Sequence, residues 1–409
     1  MTPVPDDARW TARLRGTLVV LAAAVLLDAL DVSMVVVALP AIQAELGLSA
    51  ATGQWLISGY VLGFGGLLLL GGRTADLLGR RRVFLAALAV FAAASLLSGL
   101  VEDGLPLLAA RFLKGAAAAF TVPAGLSIIT TAFAAGPVRN RALSVYTACG
   151  ASGFSLGLAL AGLLTELGRR WVLLAPVPVA LLALAAGLWL LPREPRPARP
   201  GRGYDLAGAA TVTGGMLLLV YAVTAAPEAG WAAPRILLAL ALAAALLAAF
   251  VGIELRTRHP LVRLGILRRG PLLRANLGGI TLFGADIGFQ VVFMQYFQGL
   301  LGRPPLPTAL AFLPAGLLVA LSAPVVGRLI GRYGTPRLIV GGALALAAAF
   351  GLFLTFGTAP PPWLLPADML LLGTGFAISF PALNLQATAG VADHEQGLAA
   401  GLVNTSFQV

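Results

Sequence analysis

Apolar stretches of about 20 residues recur along the whole chain, each long enough to cross a hydrocarbon core of ~30 Å as a helix. Nothing else constrains the fold as strongly. In lipid every backbone N–H and C=O must find its partner within the chain, and a helix achieves this segment by segment. Short alternating segments, the mark of a membrane β-barrel, are not visible. With 59% hydrophobic and 11% charged residues over 409 positions, the chain also lacks the polar surface that a water-soluble fold of this length needs. The sequence therefore predicts an all-α polytopic membrane protein.

Spans are predicted over about 16–39, 52–71, 83–100, 105–127, 142–164, 171–191, 206–224, 235–253, 272–298, 306–326, 338–356 and 363–385. The net charge of +11 would suit a nucleic-acid partner, but the placement of the bases points elsewhere. Counted from a cytoplasmic N-terminus, the inward loops carry most of the arginines, among them Arg73, Arg80, Arg81, Arg82, Arg139, Arg141, Arg256 and Arg274. The outward loops carry Arg169, Arg170, Arg235 and Arg303. Such asymmetry is an orientation signal. The single cysteine, Cys149, excludes an internal disulfide and lies in an apolar segment as a small packing residue. The first apolar run is of full span length and lacks a cleavage site after it.

Two short basic segments divide the chain into related halves. Gly72-Arg73-Thr74-Ala75-Asp76-Leu77-Leu78-Gly79-Arg80-Arg81-Arg82 joins spans two and three, and Gly327-Arg328 through Gly334 to Arg337 joins spans ten and eleven. Both place Gly at +7 and Arg at +10 from the first Gly, at an offset of 255. Asp31 and Asp286 share that offset, while Gly115 and Gly373, and Pro123 and Pro381, differ by 258. Repeated halves of this kind are typical of transporters. The predicted organisation is a six-helix bundle over 1–195, a Pro/Arg-rich linker with two inserted helices over 196–268, and a second bundle over 269–409. By the same offsets the second half is expected to continue to about residue 450, so that two further spans lie beyond residue 409.

Four charges fall inside apolar helices of the first half: Asp28, Asp31, Arg111 and Lys114. Each would cost ~2.5–3.5 kcal/mol or more facing lipid at mid-bilayer. At ~1.5 Å per residue, Asp31 and Lys114 each lie ~13 Å below the outer end of their helices, and the i,i+3 spacing puts each pair on one helix face. Helices one and four can thus present opposite charges at matching depth. Two readings are open. One is a structural ion pair between the helices. The other is a cavity-facing pair in which Asp31 alternates between a protonated form and one paired with Arg111, since desolvation favours a neutral carboxyl and a nearby base an ionised one. In the second half Asp286 is read as the lone embedded acid, with Gln290, Gln295 and Tyr296 nearby. It would bind a cationic compound, take a proton, or pair with a base in helices beyond residue 409.

These segments resemble the major facilitator superfamily, and within it the fourteen-helix drug:proton antiporter branch. The 72–82 segment resembles the family's signature loop. Leu30-Asp31-Val32-Ser33-Met34-Val35-Val36-Val37-Ala38-Leu39-Pro40 resembles the acidic first-helix motif, and Arg111-Phe112-Leu113-Lys114-Gly115 resembles Arg-x-x-Gln-Gly. His259-Pro260-Leu261-Val262 and the inserted helices also suit that branch. The chain departs from the pattern at Val36 for Asn, Lys114 for Gln, Leu77 for a base, and Gly157-Leu158 for the Gly-Pro of the antiporter helix.

The resemblance implies a major facilitator fold of two pseudo-symmetric bundles with two inserted helices. It also implies proton-coupled export of small lipophilic or cationic compounds by alternating access. In this expectation Asp31, Asp28, Arg111, Lys114, Asp286 and Gln290 line the coupling or substrate cavity. Gly72, Arg73, Asp76, Gly79, Arg80 and Arg141 form a cytoplasmic gate, with Asp76 at the dipole-favoured start of helix three, and Gly153, Gly157 and Gly162 mark helix five. The second basic segment carries no acid, which makes the gate one-sided. The expected partners are a small-molecule substrate, protons and the bilayer, with no nucleic acid. The protein is expected to be a monomer in the plasma membrane with a cytoplasmic N-terminus, driven by the proton gradient with no cofactor or metal. The alternatives are proton-linked transport of a specific metabolite or antibiotic, and a membrane protein that transports nothing. Gly150-Ala151-Ser152-Gly153 matches the motif of an intramembrane serine protease, but the histidines, His259 and His394, fall in predicted loops away from a serine that needs a base. The chain does not read as an enzyme.

Overall fold

The computed structural model describes residues 11–134, 137–193, 206–257 and 270–389, together with 265, 391, 402–403 and 406–407. Among these the regular structure is helical. The first half contains α1 (Ala12–Leu46), α2 (Ala50–Leu78), α3 (Arg80–Leu100), α4 (Gly104–Ala132), α5 (Pro137–Leu167), α6 (Arg169–Leu174) and α7 (Pro176–Leu190). The inserted pair is α8 (Leu206–Ala229) and α9 (Pro234–Arg256). Then come α10 (Gly270–Met294), which runs into a π-helical turn at Gln295–Leu300, α11 (Pro305–Leu310), α12 (Leu313–Tyr333), α13 (Thr335–Phe353) and α14 (Leu364–Thr388). Nine segments of the described residues are long and apolar enough to cross a membrane.

Local chemistry explains where these helices begin and end. The Thr11 hydroxyl accepts the Leu14 N–H at 3.2 Å to start α1, and Gly47, at a φ of 61°, ends it in the left-handed region. The sixth predicted span is broken into α6 and α7 because Pro176 has no N–H and crowds the preceding turn. Pro123 and Pro381, matched by the repeat, both lie inside their helices, α4 and α14.

The two basic segments are helix corners and not extended loops. α2 runs through Leu78 and α3 starts at Arg80, leaving Gly79 as the one hinge residue, with φ at 96°. Gly334 repeats this between α12 and α13, with φ at 77°. Asp76 is therefore in the last turn of α2, where the helix dipole disfavours an anion, and not at the start of α3 as predicted. Arginine and leucine are good helix formers, so the basic stretch does not stop α2; only glycine does. Gly79→Ala is expected to cost about 1–2 kcal/mol, because a Cβ is disfavoured at positive φ. A lowered thermal midpoint in detergent checks this.

Packing divides the chain into two compact units: Met1–Val35, Ile42–Phe154 and Arg169–Leu261 in the first, and Val36–Ala41, Ser155–Gly168 and Val262–Val409 in the second. The inserted hairpin belongs to the first unit. Tyr221 of α8 lies 6.0 Å from the Trp55 ring of α2, and Leu217 fills the space beside Gly66. A cluster of Ala222, Ala225, Ala226, Ile236 and Ala239 seals α8 to α9. In the second unit, α14 packs on α13, α12 and α10.

Candidate functional site

The charges predicted to meet do meet, in the first unit. α1 carries Asp28 and Asp31 one turn apart, and α4 carries Arg111, Lys114 and Thr121. The Asp31 carboxylate bridges both bases: Arg111 Nη1 donates to Oδ2 and Lys114 Nζ to Oδ1. Burial is complete, with Asp31 2%, Arg111 1% and Lys114 0% exposed. Arg111 Nε also donates to the Leu56 carbonyl of α2 at 2.9 Å, and its guanidinium sits 4.9 Å from the Tyr60 ring centroid. Lys114 Nζ lies 5.2 Å from the Phe91 ring of α3. One carboxylate thus ties helices α1 to α4 together. Asp28 is held differently, its Oδ2 accepting from the Thr121 hydroxyl at 3.2 Å.

This assembly depends on backbone-to-backbone contact between α2 and α4. A Cβ on Gly115 would strike the Tyr60 carbonyl oxygen, and one on Gly63 the Phe112 carbonyl oxygen. The two glycines let the helices approach closely enough for the Leu56 carbonyl and Tyr60 ring to reach Arg111.

A groove of about 820 Å³ lies between α1 and α5, lined by Leu18, Val19, Ala22, Leu26 and Val145, with Arg15 and Arg141 also on its wall. Its α1 residues repeat at i, i+3, i+4 and i+7, which places them on the opposite face of α1 from Asp28 and Asp31. The acidic cluster is enclosed within the helix bundle and does not line this groove. Gly153 makes the α1–α5 approach close: its Cβ would fall 2.7 Å from the Leu26 carbonyl oxygen. Gly157 is buried, and Gly162 faces α11, where a Cβ would meet Leu306 Cα at 2.8 Å.

In the second unit Gln290 Nε2 donates to Asp286 Oδ2 at 2.7 Å, one turn along α10. On the same side Phe289 packs with Phe350 and Phe353 of α13, Phe293 with Phe353, and Phe297 with Phe293. Asp286 is not the lone embedded acid of this half, as predicted. Asp368 of α14 is fully buried too, and the sequence reading passed over it. Its apolar neighbours signal an embedded acid, but Pro360-Pro361-Pro362-Trp363 just before it reads as an interfacial helix end.

Among the corner residues, Gly72 faces Pro123 at 3.6 Å from its would-be Cβ. Arg139 Nε donates to the Phe133 carbonyl at 3.1 Å. Arg81, read as a mere topology signal, donates from Nη2 to the Leu188 carbonyl at 2.6 Å and ties α3 to α7. The Asp76 side chain lies outside the described residues, and with it any ion pair that would latch the expected gate, whether to Arg80, Arg139 or Arg141.

A helical bundle with an enclosed acid–base cluster, a repeated glycine corner and an inserted hairpin defines a multi-pass carrier architecture. The sequence profile of the Major Facilitator Superfamily matches residues 21–409, and the chain belongs to that superfamily. The puromycin resistance protein pur8 of Streptomyces alboniger is 43% identical over 417 aligned residues, which cover 99% of this chain and 80% of the relative. The cephamycin export protein CmcT of Amycolatopsis lactamdurans is 34% identical over 406 residues, covering 97% of this chain and 83% of the relative. Among solved structures, a D-xylose–proton symporter matches with a TM-score of 0.67 at 16% identity, covering 97% of this chain and 88% of that one, which shows the shared fold.

Proposed function

We propose that this chain is a plasma-membrane exporter that moves a small lipophilic compound outward in exchange for protons, by alternating access, with its N-terminus cytoplasmic. The observation that carries the coupling is the Asp31 carboxylate shared by Arg111 and Lys114 at full burial. Such a cluster is costly in lipid and is reusable chemistry: when the bases turn away, the carboxyl takes a proton, and when they return it releases one. Export is supported by the relatives, whose names speak of resistance to puromycin and lincomycin and of cephamycin export. Because each of these names gives a single antibiotic, a narrow substrate range is the second reading. The α1–α5 groove offers a largely apolar wall, which suits the apolar body of such a compound. The gate proposed at Gly72, Arg73, Asp76, Gly79, Arg80 and Arg141 turns on the Gly79 hinge.

Everted membrane vesicles containing the full chain test this. Puromycin uptake into acid-interior vesicles should rise on energisation and stop when an ionophore collapses the pH gradient. Uptake that ignores the ionophore would contradict proton exchange, and absence of uptake for every antibiotic tried would contradict export. Thr121→Val should leave transport running at a shifted pH profile, because it removes only the hydroxyl bonded to Asp28. The same assay across a pH series checks it.

A further inference from the structure

We propose that Asp368 is a proton-binding carboxyl of the transport cycle, located in the second unit and separate from the Asp31 cluster. This rests on the proton-exchange reading above. Asp368 stands four residues into α14, fully buried, and neither Oδ1 nor Oδ2 has a hydrogen-bond partner among the described residues. Its face of the helix continues through Leu372, Gly375 and Ser379, of which Gly375 and Ser379 meet Leu346 and Gly342 of α13.

No base faces it from the helices packed on α14. On α13 the only charge is Arg337, which lies beyond Gly342 toward the opposite end of the unit. α12 crosses at Ala315, against Gly373, and carries Arg328, Arg332 and Tyr333 three or more turns farther from Asp368. α10 pairs Gly278 with Leu383, which puts Arg274 at that same distant end and leaves Asp286 as its other titratable group. Arg303, in the segment between the π-helical turn and α11, has its guanidinium 5.4 Å from the Phe297 ring centroid.

An ionised carboxylate without donor or counterion is strongly disfavoured in an apolar interior, so this enclosed setting favours the protonated acid. A neutral acid without hydrogen bonds adds nothing to packing that an apolar residue would not supply better. Its use is in another conformation, where water reaches the carboxyl and it passes its proton to that water. Closing the site requires the proton back. The repeat makes the same point: the offset of 255 carries Asp31 to Asp286, and the offset of 258 carries Ala110, next to Arg111, to Asp368. Where the first half pairs an acid with bases, the second, among its described residues, holds two buried acids that no base meets.

The test uses the full chain in liposomes and dicyclohexylcarbodiimide, a lipid-soluble reagent that adds to protonated carboxyls. Peptide mass spectrometry should find the adduct on Asp368 in acid buffer and its loss in alkaline buffer. In parallel, Asp368→Asn should lose puromycin movement driven by an imposed pH gradient, and Asp368→Glu should restore it with a displaced pH profile. Absence of the Asp368 adduct at acid pH overturns the proposal. So does an Asn variant that responds to the gradient as wild type does, or an Asn loss that Glu does not repair. Wild type indifferent to the gradient overturns the exchange reading together with this proposal, whereas a gradient-driven wild type with an indifferent Asn variant overturns this proposal alone.

Discussion

Asp31→Asn is expected to abolish transport and to destabilise the first unit by about 3–5 kcal/mol, the scale for breaking a buried ion pair by removing one partner. The physical reason is the two-to-one arrangement. Arg111 and Lys114 both close on this single carboxylate, so its loss leaves two enclosed cations facing each other across an amide. The Leu56 carbonyl, the Tyr60 and Phe91 rings and the single carboxyl of Asp28 one turn away remain, and they cannot neutralise two charges. Asp31→Asn combined with Lys114→Gln should recover part of the stability, since only one orphaned cation is left. It should not recover transport, because the titrating group is gone. Thermal unfolding of the purified variants in detergent, alongside vesicle uptake, separates the two effects. Equal instability of the single and double variants would show that Lys114 is not part of the cluster.

Gly115→Val should be nearly as damaging, through geometry instead of charge. Even an alanine Cβ at this position meets the Tyr60 carbonyl carbon at 2.8 Å and the Phe64 nitrogen at 3.0 Å. These are backbone atoms, which cannot swing aside, so α2 and α4 must separate. Overpacking of this kind costs about 1–3 kcal/mol or more. Separation also withdraws the Leu56 carbonyl and Tyr60 ring from Arg111, so the loss should reach transport as well as stability. Gly252→Ala in α9 is the control, because its Cβ would enter open space. Alanine there should be neutral or stabilising by up to ~1 kcal/mol, from helix propensity alone. Similar losses for the two variants would contradict the close-approach account.

Much of this fold was legible in the sequence, because lipid forces helices on it and a repeat marks its halves. The matching depths of Asp31, Arg111 and Lys114 foretold their meeting, since helical rise converts residue number directly into depth. The seven-residue spacing of Gly72 and Gly79, and of Gly327 and Gly334, foretold a shared corner, seen as two positive-φ glycines. What failed depended on neighbours. Asp76 was misplaced because residues 72–78 continue α2 and the corner comes only at Gly79. Asp368 was missed because its proline-rich approach resembles a wetted helix end, and only the packing of α10, α12 and α13 around α14 encloses it. The groove's position on the far face of α1 from Asp31 could not be read from composition, which says which residues are apolar but not which helix covers them.

The central claim is that cargo leaves in exchange for protons at ionisable groups enclosed in the membrane. Its most direct test is simultaneous measurement of puromycin and proton fluxes in liposomes containing the purified full chain, with a pH-sensitive dye trapped inside. The account predicts that a puromycin gradient alone drives protons the opposite way in wild type, and that Asp31→Asn abolishes this countercurrent. Puromycin movement with no accompanying proton flux would contradict it.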